Sequence, residues 1–161
     1  MPFTPLHLGP GAAFKALGGA RFSFMVFGGS QVLMDLEPMV QMLRGASVLH
    51  GSSHTLGGAL AIGALAGAIG RPISAFVLER LRIPHHPFTW RASFAGAFVG
   101  TLSHLLLDGL MHPDMHPLRP LSDAAPWFGA LPVGALHLAC LALGALGGAV
   151  VCVRLWVDGK A

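Results

Sequence analysis

Three residues near the middle of the chain, His104, Asp108 and His112, stand at i, i+4 and i+8 in the stretch Ser103-His104-Leu105-Leu106-Leu107-Asp108-Gly109-Leu110-Met111-His112. On an α-helix these positions share one face, each one turn above the last. A histidine and a carboxylate one turn apart can grip one metal ion. The residues around them are apolar, so three polar groups stand where a membrane or core helix would carry Leu, and ionisable groups in such a segment mark a functional site. A second pair, His50 and His54, has the same spacing at the start of another apolar run, and Asp35-Leu36-Glu37-Pro38 closes a third. Pro38 disfavours the α-region for Glu37. A helix ending or bending there would turn both carboxylates toward one centre. His7 falls in the first turn of a short N-terminal helix opened by Thr4-Pro5.

Mixed imidazole and carboxylate ligands suit Zn²⁺, with Mn²⁺ and Fe²⁺ as alternatives. Such an ion lowers the pKa of a bound water and polarises a substrate oxygen, and there are candidate ligands enough for one or two ions. Other histidines read differently. His85 and His86 are adjacent, lie beside arginines and have no acidic neighbour, so they are surface residues. His137 stands alone and reads as a packed side chain.

These groups need elements to hold them. The chain has 161 residues, room for a single domain over 1–161, and is 53% hydrophobic but only 11% charged. Soluble domains carry roughly 25% charged residues. That deficit, with 22 Gly, points to an all-α integral membrane bundle of closely packed helices. Four transmembrane spans are expected, at Phe22–Val40, Thr55–Gly70, Ala92–Met111 and Val133–Val157. The short N-terminal helix precedes them. An amphipathic interfacial helix follows Arg71-Pro72, with Ile73, Phe76, Val77 and Arg80 at helical spacing. The net charge of +3 is dispersed and has no basic stripe with interleaved aromatics, which excludes a nucleic-acid partner. Cys140 and Cys152 share the last span, about 18 Å apart along a helix, too far to bond to each other.

Lys15, Arg21, Arg71, Arg80, Arg82, Arg91, Arg154 and Lys160 fall at one end of these spans, and only Arg44 and Arg119 at the other. The positive-inside rule makes the first end cytoplasmic. Asp35, Glu37, His50, His54, His104, Asp108, His112 and His116 then all lie at the outward end, although the orientation used Lys and Arg alone. The inner halves of the spans hold no acid or histidine, which argues against a metal-ion transporter. A structural metal staple is the third reading, without the Cys ligands that structural zinc sites often use.

The motifs resemble those of the membrane-bound metal-dependent hydrolase family, the small inner-membrane hydrolases associated with the SOS regulator. The resemblance rests on His7, Met34-Asp35-Leu36-Glu37-Pro38, His50-Gly51-Ser52-Ser53-His54-Thr55 and Gly100-Thr101-Leu102-Ser103-His104-Leu105-Leu106-Leu107-Asp108, in order across most of the chain. Glu37 stands where relatives carry Asp, and Gly51 where they often carry a basic residue. The His-x-x-x-Asp pattern is also distantly similar to zinc-dependent phospholipase C. The family resemblance implies a multi-pass plasma-membrane hydrolase, the phospholipase likeness suggests a phosphoester of a membrane lipid as its substrate, and the Lys/Arg asymmetry puts the site on the extracytoplasmic side. His7, Asp35, His54, His104 and Asp108 are the expected metal ligands. Glu37, His50 and His112 are expected as acid–base groups or further ligands, and Arg119 as a phosphate clamp.

Overall fold

The computed structural model describes residues 5–83 and 88–159. Thr4, His85, His86 and Lys160 lie outside them. The described residues form five α-helices and no strand: α1 (Leu8–Gly18), α2 (Phe24–Leu43), α3 (Leu56–Arg80), α4 (Trp90–Met111) and α5 (Val133–Asp158). The helices α2, α3 and α4 pack on one another, while α5 packs chiefly on α1.

Three of the helices, α3, α4 and α5, are long and apolar enough to cross a membrane. The 20-residue α2 is less apolar because it carries Gln31, Asp35, Glu37 and Gln41. Two of these, Gln31 and Asp35, point inward. Phe27, Ser30, Gln31, Met34, Asp35 and Pro38 form the buried stripe, and Val32, Leu36, Val40 and Leu43 face outward. The same inversion runs through the molecule. His7, Gln31, Asp35, His54, Thr101, His104 and Asp108 are buried, while Leu60, Leu65, Leu138, Leu141 and Leu146 are exposed. An outer surface this apolar is what lipid, and not water, would cover.

Small residues set the helix contacts. A Cβ on Gly96 would stand 2.3 Å from the Ser23 carbonyl oxygen, and one on Gly100 would stand 2.7 Å from that of Phe27, so α4 and α2 cross backbone to backbone. A Cβ on Gly147 of α5 would lie 2.4 Å from the Ala12 and Ala13 backbone of α1. Gly63 and Gly67 of α3 do something different: they make room for the rings of Phe98 and Phe94 of α4.

Two prolines behave otherwise than the sequence suggested. Pro72 lies inside α3, which runs on to Arg80, so there is no separate amphipathic helix. One proline removes a single ladder bond. Ser74 is buried beyond it, and Arg71 donates to the Phe88 carbonyl and stacks on Trp90, which ties this end to the start of α4. Pro38 likewise sits within α2, which continues to Leu43. The consequence for Asp35 and Glu37 is large. On an unbroken helix, residues i and i+2 diverge, so the two carboxylates do not turn to one centre.

Candidate metal centre

The candidate ligands reach the site from several separately anchored elements. His7 ends a single 3-10 turn, Pro5–His7, that leads into α1. Its carbonyl accepts from the Gln31 side chain of α2 at 3.3 Å. Asp35 comes from the buried stripe of α2. His54 ends the 3-10 turn Ser52–His54, and Thr55 caps α3 by accepting from the Gly58 amide. His50 and His54 are therefore not stacked on an α-helix, although their rings meet at 4.8 Å between centroids. His104 and Asp108 lie on the buried stripe of α4. His112 has left that helix: it is the C-cap, in extended backbone, and its amide bonds the Asp108 carbonyl. Its ring nevertheless lies 4.6 Å from that of His50.

Asp35, His54, His104 and Asp108 are all buried, and their ligand atoms lie within 4.8 Å of one another. His104 Nε2 is 3.3 Å from Asp35 Oδ1, 3.1 Å from Asp108 Oδ2 and 3.3 Å from His54 Nε2. Two imidazole nitrogens and two carboxylates converging in a buried space could hold a divalent ion. Without a cation the two acids would repel in a poorly solvated space. The wall beside them is apolar: Met34, Ala59, Leu105 and Met115 form one buried cluster.

Asp108 is the hub. His54 and His104 lie within 3.4 Å of its Oδ2, and His50 Nε2 is 3.9 Å from the same oxygen. His7 Nε2 and His112 Nε2 are 3.7 and 3.9 Å from Oδ1. His7 also meets His104 through their Nδ1 atoms at 3.4 Å, which leaves its own Nε2 buried without a hydrogen-bond partner. Burial pushes the His7 imidazole down to about 4, against the pull of Asp108, and lowers those of His54 and His112 in the same sense. Neutral imidazoles are the form that binds metal.

A surrounding layer fixes the rings. Ser53 Oγ lies 2.8 Å from His54 Nδ1 and gives its proton to Glu37 Oε2 at 2.5 Å. Since that hydroxyl has one proton, His54 must donate from Nδ1, which leaves Nε2 as the lone-pair atom facing His104. Glu37 is therefore not aimed at the centre: it also accepts from the Ser52 and Ser53 amides and holds the turn that carries His54. Asp114 does the same for His50. Its Oδ1 is 2.9 Å from His50 Nδ1, and its Oδ2 accepts from the Leu49 and His50 amides. Burial alone would raise the Asp114 carboxyl, but these hydrogen bonds outweigh it and hold the pKa at about 2.

The sequence marks Ser53 only as part of the His50–Thr55 run, and Asp114 not at all. Asp114 follows the helix, where no periodicity marks it, and the only signal was a carboxylate two residues past His112. Arg119 is not brought to the cluster as a clamp. Its guanidinium pairs with Asp123 at 2.5 Å on the exposed loop after α4, and His116 Nδ1 contacts the Asp123 carbonyl. The half-buried His137 lies on α5, outside the cluster. A cavity of about 490 Å³ lies at the far end of the bundle, lined by Lys15, Phe22, Arg154 and their neighbours, and has no candidate ligand from the cluster.

No family model, curated protein or solved structure matches the chain.

Proposed function

We propose that the chain is a membrane-bound metal-dependent hydrolase, of the family its motifs resemble, acting on a phosphoester of a membrane lipid. The observation that carries this reading is the convergence of Asp35, His54, His104 and Asp108 from α2, the turn before α3, and α4. In this reading α2 is a fourth span, the basic ends of the helices are cytoplasmic, and the site opens on the extracytoplasmic side of the plasma membrane. The ion is Zn²⁺, with Mn²⁺ and Fe²⁺ as alternatives.

The ion would supply a water of lowered pKa and a Lewis acid for a phosphoryl oxygen. The residues supply the rest. Asp35 and Asp108 set negative charge against the cation. Ser53 and Asp114 keep the His54 and His50 rings turned inward by their Nδ1 atoms. His112, with 24% of its side chain exposed, stands at the more open edge of the cluster. Confinement of the ligand cluster to one end of the bundle suits a site at a lipid–water interface better than a conduit through it.

The test is metal analysis of the protein purified in detergent, with a hydrolysis screen of phospholipids and polyprenyl phosphates. Bound metal with hydrolysis that is lost together in His104→Ala supports the reading. Full activity in a metal-free preparation sinks it.

A further inference from the structure

The four buried ligands leave part of the cluster unexplained. Asp35, His54, His104 and Asp108 already give one ion a full tetrahedral set, or an open site of higher coordination number. Yet His50 and His112 also bring their Nε2 atoms to 3.9 Å from Asp108, one to each of its oxygens. Their rings lie 4.6 Å apart, closer than those of His54 and His104 at 5.3 Å. Asp114 lies within ligand reach of the same pair.

We propose that this pair holds a second divalent cation, on His50 Nε2 and His112 Nε2, with Asp108 as the carboxylate shared with the first. It rests on reading the four buried residues as a metal site. Three observations carry it. First, Asp108 has histidines on both oxygens, His54, His104 and His50 at Oδ2 and His112 at Oδ1, so this one carboxylate faces both histidine pairs and can be shared between two ions; paired catalytic metals stand about 3.5–4 Å apart. Second, His50 is set as a ligand would be. Asp114 takes its Nδ1 proton, which turns Nε2 toward Asp108 in the carboxylate–histidine–metal arrangement. Both Asp114 oxygens are occupied by His50 and by the Leu49 and His50 amides, so Asp114 orients and does not ligate. Third, Asp35 and Asp108 set carboxylates at the centre, and Asp114 adds another behind His50.

The two positions differ in exposure. His54 and His104 side chains are 0% and 2% exposed, whereas His112 is 24% exposed. The second position, edged by the more exposed His112, would have only three protein ligands, which leaves coordination positions for water or a substrate oxygen.

The experiment uses the full chain in detergent, stripped with a chelator and dialysed against Zn²⁺, with zinc per chain measured by mass spectrometry. A parallel sample is loaded with Mn²⁺ for electron paramagnetic resonance. Wild type should retain two Zn²⁺ per chain and give an exchange-coupled Mn²⁺ signal. His112→Ala should retain one Zn²⁺, lower affinity for the second by about tenfold or more, and give the isolated-ion signal. One Zn²⁺ per chain in both proteins, with an uncoupled Mn²⁺ signal, overturns the second site and leaves the first standing. No bound Zn²⁺ in wild type overturns both. If His112→Ala fails to fold, coupling in the wild-type spectrum decides alone.

Discussion

Glu37 and Ser53 are joined by a 2.5 Å hydrogen bond in which the serine donates, and the same hydroxyl receives His54 Nδ1 at 2.8 Å. This link connects α2 to the ring that faces His104. It also bears on Gly51, which opens the turn that carries Ser53. A Cβ at residue 51 would lie 2.4 Å from Glu37 Oε1, so Gly51 leaves the room that the Glu37 side chain occupies.

Glu37→Gln keeps the side-chain size but removes the charge and one of the two acceptor oxygens. His54 should lose its fixed tautomer, and Zn²⁺ affinity should fall about 10–100-fold, the range for the loss of a partner behind a metal ligand. Gly51→Ala should shift it in the same direction by less, because the clash is with the end of a flexible side chain. Competition with a chromogenic chelator measures both. Unchanged affinity in Glu37→Gln would remove the positioning role.

The contact between α1 and α5 positions His7. Gly147→Val should drive a methyl into the Ala12–Ala13 backbone and force the helices apart. Overpacking of this kind costs about 1–3 kcal/mol, so the thermal midpoint should fall. Gly148→Val, where a Cβ meets nothing within 4 Å, is the matched control and should leave it unchanged. Equal midpoints for the two variants would show that the contact contributes nothing.

Arg119→Ala should leave metal content and thermal midpoint as they are. The guanidinium is about half exposed and spends its charge on Asp123, itself exposed. Exposed pairs of this kind contribute about 0–1 kcal/mol. A loss of bound metal in this variant would mean that the loop after α4 is part of the centre.

How far the site was legible follows from periodicity. His104 and Asp108 could be placed because a helix fixes where i and i+4 point, and both lie on the buried stripe of α4. Asp35 was found from its position after an apolar run, but its partner Glu37 was misplaced: the sequence does not say whether a helix survives a proline, and α2 does. The same ambiguity at Pro72 turned one long helix into two on paper. Asp114 and Ser53 could not be given their roles for a different reason. They act from a loop and a 3-10 turn, where direction is set by tertiary contacts such as the Leu56 amide on the Pro117 carbonyl, and no spacing rule applies.

An ion held by the buried cluster would also be a structural element. Asp35 on α2, His54 before α3, and His104 and Asp108 on α4 meet only while these helices hold their packing. An ion bound there binds the folded chain and not the unfolded one. At a free concentration one hundred times the dissociation constant it adds about 2.7 kcal/mol. For a domain of this size that corresponds to about 5–10 °C in thermal midpoint. Chelation should therefore lower the midpoint of wild type by about that amount, and readdition of Zn²⁺ should restore it. His104→Ala removes the nitrogen shared by both carboxylates, so its midpoint should start low and respond to chelator and Zn²⁺ by clearly less than that of wild type. His137→Ala, changed outside the cluster, should respond as wild type does. If chelation leaves the wild-type midpoint where it was, or if His104→Ala still gains the full shift on adding Zn²⁺, these four residues do not hold the ion.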